Sequence, residues 1–151
     1  CQEFFNREGY TIEALHCNPA GDWSQGGFDA DAGVTGRKLA VDNYGPRVPI
    51  GGGAFSGKDA TKVDRSAAYI ARFIAVKLLK AASAKEVLVR LAYAIGYDKP
   101  LEATAIVDGN HVVIVPDQLT PKNIIETLDL NKPIFSKTAE WGHMGNKFKW
   151  N

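Results

Sequence analysis

The sequence predicts an α+β domain built from layered, mixed or antiparallel sheets with helices on one face. Three observations carry this. Residues 63–82 repeat apolar side chains at helical spacing, "EVLVRLAYAIG" alternates like a half-buried strand, and "ATAIVDGNHVVIV" places two β-prone runs around Asp108-Gly109-Asn110. Helices mixed with hairpin-type strands argue against a doubly wound parallel sheet.

The elements follow in chain order. "YTIEALH", residues 10–16, alternates imperfectly and predicts a strand running into the turn "NPAGD". Residues 26–36 are rich in Gly, Ala and Asp, and "RKLAVDNY" then reads as a short strand. Residues 44–62 form a long loop with little periodicity, a kind of segment that is usually functional or disordered. In the helix at 63–82, Ala67, Ile70, Ile74, Leu78 and Ala81 share one face, which leaves Arg65, Arg72 and Lys80 largely on others. In the strand after it, Val87, Val89, Leu91 and Tyr93 alternate against Leu88, Arg90 and Ala92. Thr120 and Pro121 supply the N-cap and first helical position of a second helix ending near Leu128. The tail "KPIFSKTAEWGHMGNKFKWN" reads as aromatic and irregular, and no internal repeat is visible.

The 151 residues suit one domain or pieces of two, with 45% hydrophobic and 23% charged residues, an ordinary globular balance. Eighteen basic against seventeen acidic residues give a net charge of +1, so no global field recruits nucleic acid or an anionic membrane. The apolar run "YIARFIAVKLL" is broken by Arg72 and Lys77, which argues against a membrane span. Cys1 and Cys17 are too few for a disulfide scaffold and lack metal-ligand spacing, so a reduced, cytoplasmic setting is expected. Cys17 has no base beside it in sequence, and His16, His111 and His143 form no pair at helical ligand spacing.

The chemistry concentrates in "GGGAFSGKDATK". Gly52, Gly57 and Lys58 match Walker A spacing, but Asp59 stands where the Mg²⁺-ligating hydroxyl belongs. The preceding "YGPRVPI" carries two prolines and makes a poor central strand. In isolation such a loop is most simply glycine turns with Lys58, Lys62 and Arg65 solvated, and Asp64 a helix-start charge. Against that stands the density of Arg37, Lys38, Lys58 and Lys62 among Asp31, Asp59 and Asp64. Glycines admit an anion to backbone N–H groups, lysines neutralise it, and carboxylates hold the Mg²⁺ that accompanies polyphosphate.

The run "DAGVTGRKLAVDNYG", then "GGGAFSGKDATKVDRSAAYIAR" and "YAIG", resembles the S-adenosylmethionine synthetases (methionine adenosyltransferases). Asn18–Gly21, Gly26-Gly27, "KPI" at 132–134 and "GHMG" at 142–145 fall in that family's order, so the resemblance covers nearly everything after about Asn18. It implies the joining of ATP and L-methionine: the methionine sulfur attacks ribose C5′, and the expelled tripolyphosphate is hydrolysed to diphosphate and phosphate. Mg²⁺ and K⁺ are the implied ions. Carried over by motif, Arg37 and Lys38 stabilise the leaving polyphosphate, Lys58 binds triphosphate, and Lys62 lies near phosphate and methionine. Ala54 touches the nucleotide, Asp31 receives the methionine amino group, Asp64 ligates Mg²⁺, and Trp23 stands where a Phe stacks on adenine.

The resemblance also implies a three-domain pseudo-threefold fold and a homodimer or dimer of dimers with active sites between subunits. On that reading residues 1–45 end one α+β domain and carry a site strand, 46–62 are the phosphate loop, and 63–151 are the C-terminal α+β region. The family's catalytic histidine and further ligands belong to an N-terminal half, so the chain is expected to be the C-terminal portion of a longer enzyme or one piece of a split one, inactive alone. The other expectation is a non-catalytic polyphosphate-binding or assembly subunit that needs a partner. Three departures from the family pattern, Phe28-Asp29-Ala30, Pro49-Ile50 and Tyr97-Asp98-Lys99-Pro100, mark a divergent branch.

Overall fold

The computed structural model describes residues 2–15, 18–30, 44–51, 53–145 and 147–151. The expected strand at 37–44 lies almost wholly outside the described residues, as do Asp31, Arg37 and Lys38. The chain forms two compact units, Cys1–Gly33 and Val34–Asn151.

In the first unit, helix α1 (Gln2–Arg7) is followed by a turn in which the Tyr10 amide donates to the Phe5 carbonyl at 2.9 Å. Phe5 meets Phe4 and Tyr10 edge-on, yet all three rings stay exposed. The strand expected at 10–16 is not formed over the described residues 10–15. An alternating segment becomes a strand only where another strand completes its ladder, and no strand is described in this unit.

The second unit is where the α+β prediction holds. Helix α2 (Val63–Ala81) begins and ends within one residue of the predicted bounds. Strands β1 (Val87–Ala92), β2 (Glu102–Val107) and β3 (Asn110–Val113) form an antiparallel sheet in the order β1-β2-β3. The two-residue connection Asp108-Gly109 has φ of 46° and 86°, the paired positive angles of a tight hairpin turn. Asp108 does a second job there: its carboxylate accepts from the Lys85 and Glu86 amides and ties the hairpin to the entry of β1. Register places Val89 opposite Ala105 and Leu91 opposite Ala103, so these residues share one face, and α2 packs on β1 and β2.

Helix α3 (Pro121–Leu128) starts as predicted, with the Thr120 hydroxyl accepting from the Asn123 amide at 3.2 Å, and buries Ile124 and Leu128 against α2. The irregular tail needs correction, because Phe135–Glu140 form helix α4. Arg65 needs correction as well. It was expected off the apolar face and solvated, but it is buried, and α4 is what covers it through Phe135 and Thr138.

The core centres on Tyr69, which stacks on Trp150 at 4.5 Å and lies 5.2 Å from the His143 ring. His143 is 1% exposed; its Nε2 lies 3.2 Å from the Tyr44 hydroxyl, and its Nδ1 has no hydrogen-bond partner among the described residues. Burial, with a smaller repulsion from Arg72, pushes its pKa from 6.5 down to about 4. The unfolded chain therefore binds the extra proton first. Stability is undiminished above pH 6.5 and falls as the pH drops from 6.5 towards 4, a loss of roughly 2–3 kcal/mol. Denaturant titrations at pH 7 and pH 4.5 should reveal that drop in the unsubstituted chain and a smaller one in His143→Phe.

Candidate functional site at the glycine loop

The loop before α2 is held by local chemistry. The Lys58 amide donates to the Phe55 carbonyl at 3.2 Å, and Gly57 has a φ of 79°. That is the turn position where a side chain is strained, so glycine is required there. Asp59 faces its own backbone: its carboxylate accepts from the Thr61 amide at 2.8 Å and the Thr61 hydroxyl at 2.5 Å. The Thr61 hydroxyl bond first, then its amide, hold the Asp59 carboxyl below its ordinary range, with Lys62 adding a smaller pull. The aspartate in the Walker hydroxyl position is thus a turn former leading into α2.

Asp64 sits on the second residue of α2, where a carboxylate suits the helix N-terminus. Lys58 Nζ donates to its Oδ2 at 2.5 Å. Gly53 lies hard against the same carboxylate, and a Cβ there would come within 2.3 Å of Asp64 Cγ. The third glycine of "GGG" therefore provides the room in which Asp64 stands. Asp64 and Gly53 also line a cleft of about 630 Å³ between the loop after Tyr44, the Ala67–Ala71–Ala75 stripe of α2, and β1.

Of the residues singled out from the sequence, the structure brings Lys58 and Asp64 into direct contact. Lys62, the N-cap of α2, points its ammonium to Thr61 Oγ1 at 3.2 Å and towards Asp59 at 3.9 Å, and stays exposed. Ala54 is half-buried between Gly53 and Phe55. Trp23 belongs to the first unit and is 79% exposed. The sequence reading missed Arg65, whose guanidinium donates to the Lys58 carbonyl at 2.8 Å. The one available signal was its place at a helix start, where a basic residue is unfavourable.

No cluster of three or more His, Cys, Asp or Glu suited to a metal ion occurs among the described residues, and Asp64 is the one acidic residue in the first turn of α2. That fits Mg²⁺, which takes one or two protein carboxylates and completes its shell with water and substrate phosphates. Among the described residues, no helix is long and apolar enough to cross a membrane.

This is an α+β unit whose glycine loop sets a lysine and a carboxylate side by side at a helix N-terminus. Residues 25–151 match the model of the S-adenosylmethionine synthetase C-terminal domain, and the chain belongs to that family. It is 49% identical over 147 residues to the S-adenosylmethionine synthase of Sulfurovum sp., covering 89% of this chain and 38% of the relative. It is 50% identical over 141 residues to that of Sphingopyxis alaskensis, covering 87% and 35%. The solved structure of an unusual S-adenosylmethionine synthetase from Campylobacter jejuni superposes with a TM-score of 0.63 at 38% identity, over 76% of this chain and 34% of that one. The chain thus spans a little over a third of the length of these relatives.

Proposed function

We propose that the chain forms the phosphate-binding wall of an enzyme that makes S-adenosylmethionine from ATP and L-methionine, as the C-terminal portion of a three-domain protein. The observation that carries this is the Lys58–Asp64 pair at the end of the glycine loop, in a chain of this family. Methionine sulfur attacks ribose C5′ and the whole tripolyphosphate leaves, to be hydrolysed afterwards to diphosphate and phosphate. Negative charge grows on that leaving group in the transition state, so fixed cations aimed at it lower the barrier.

Lys58 supplies such a cation from a backbone held at both its amide and its carbonyl. Lys62, Arg37 and Lys38 add charge along the same polyphosphate, with Arg37 and Lys38 bearing on the leaving group. Asp64 is the proposed Mg²⁺ ligand, and the ion, when bound, neutralises phosphate oxygens. K⁺ is proposed as the second ion, with no described residue assigned to it. Asp31 receives the methionine amino group, Ala54 touches the nucleotide and Trp23 stacks on adenine. The assembly is a cytoplasmic homodimer or dimer of dimers with sites between subunits.

Intact-mass measurement of the native protein, followed by incubation with ATP, L-methionine, Mg²⁺ and K⁺, tests the reading. The expected result is a mass well above that of 151 residues, with S-adenosylmethionine and phosphate both produced. A longer protein that yields neither product overturns it.

A further inference from the structure

Arg65 occupies the third position of α2, in the turn where the helix dipole favours acids, and it is 7% exposed. A buried guanidinium costs several kcal/mol unless it is compensated, and a carboxylate is the usual compensation. Here every described partner is neutral. Its Nε donates to the Tyr69 hydroxyl at 2.9 Å, and its two terminal nitrogens donate to the Lys58 carbonyl at 2.8 Å and the Thr138 hydroxyl at 3.1 Å. Its carbon lies 3.8 Å from the centroid of the Phe135 ring.

The network closes on itself. The Tyr69 hydroxyl donates to Thr138 Oγ1 at 3.2 Å, and Thr138 in turn donates to the Phe135 carbonyl at 2.8 Å. The Thr138 oxygen thereby gives its single proton and accepts two, its full capacity. Three elements (the glycine loop, α2 and α4) meet on one cation. The loop's share of that meeting is the backbone of Lys58, gripped at its amide by Phe55 and at its carbonyl by Arg65. Only the Lys58 side chain is left to exchange Asp64 for another anion.

We infer that Arg65 is a positioning residue for Lys58: from within the protein, and without touching the ligand, it fixes where the Lys58 ammonium can reach a polyphosphate. Its buried charge is retained because one planar group must satisfy three acceptors in three directions, which a lysine cannot do. The inference rests on the polyphosphate reading of the site.

The test is calorimetric titration of the full chain with inorganic tripolyphosphate and Mg²⁺, at a temperature where circular dichroism shows each variant folded. Arg65→Lys keeps the charge and loses the fork, and its Kd should rise about tenfold, as misplacement of a binding group by a fraction of an ångström implies. Thr138→Val, a milder change, should raise Kd about threefold through the same network. Hydrogen exchange should quicken over residues 56–62 in both variants and stay unchanged in β1–β3. A residue that merely supports the fold would leave the affinity of the folded protein unmoved. Unchanged Kd values in both variants overturn the inference alone. Failure of the unsubstituted chain to bind tripolyphosphate overturns the polyphosphate reading and this inference with it. Should Arg65→Lys not fold, Thr138→Val decides.

Discussion

Replacing Lys58 with alanine should weaken binding of Mg²⁺–tripolyphosphate by about a hundredfold, the weight of one or two charge-assisted hydrogen bonds in a partly desolvated site. Two effects add. The cation is lost, and the Asp64 carboxylate it neutralises at 2.5 Å is left facing the incoming anion. The second effect makes the change larger than the removal of a solvated surface lysine. Lys122, exposed on α3, provides the comparison, and Lys122→Ala should leave the affinity within about twofold. The two contributions separate in a double variant. Lys58→Ala with Asp64→Asn should bind metal-free tripolyphosphate better than Lys58→Ala does, because the repulsive carboxylate has gone. Calorimetric titration reads all four proteins. Equal losses for Lys58→Ala and Lys122→Ala remove Lys58 from the site.

What the sequence made legible is what local chemistry controls. The three- and four-residue spacing of Ala67, Ile70, Ile74 and Leu78 sufficed to place α2, and Asp108-Gly109 sufficed to place the hairpin. Thr120-Pro121 marked the start of α3 because a cap and a proline are satisfied within one turn. Contacts between residues far apart in the chain left no comparable trace. Helix α4 has no side-chain cap and only six residues, too few to stand by local propensity, and it is held where Thr138 and Phe135 meet Arg65, some seventy residues away. The strand read at 10–16 failed for the converse reason, since alternation without a described neighbouring strand closes no ladder.

At the site, the same division holds. Lys58 and Asp64 were read from the density of charge around the loop and from the family resemblance, and their contact spans only six residues. Asp59 was singled out as out of place in a Walker motif, and its bonds to Thr61 give it an ordinary turn role that "DAT" encodes locally. Arg65 was invisible as a site element because periodicity places it off the apolar face of α2. Its burial depends on a tail that the pattern left unstructured.

Trp150→Ala should cost about 3–5 kcal/mol, the range for truncating a fully buried aromatic side chain to alanine. The indole is 1% exposed, stacks on Tyr69 at 4.5 Å and on Phe148 at 4.9 Å, and donates from Nε1 to the His143 carbonyl at 2.7 Å. Truncation therefore opens a cavity in the core and leaves that carbonyl, among the described residues, with the Asn151 side chain alone. Small domains are stable by only about 5–15 kcal/mol, so this single change removes a large part of the total. It also reaches the site. Tyr69, freed on its Trp150 face, carries the hydroxyl that accepts from Arg65, and Arg65 holds the Lys58 carbonyl. Equilibrium denaturation in urea should show the midpoint falling sharply in Trp150→Ala. Trp150→Phe, which keeps an aromatic ring against Tyr69 and loses the hydrogen bond, should cost about 1–2 kcal/mol. A loss below about 1 kcal/mol in Trp150→Ala would mean that the tail does not close the core in solution. The expected loss, joined to weaker tripolyphosphate binding under conditions where the variant is still folded, would tie the last turn of the chain to the loop that holds the phosphates.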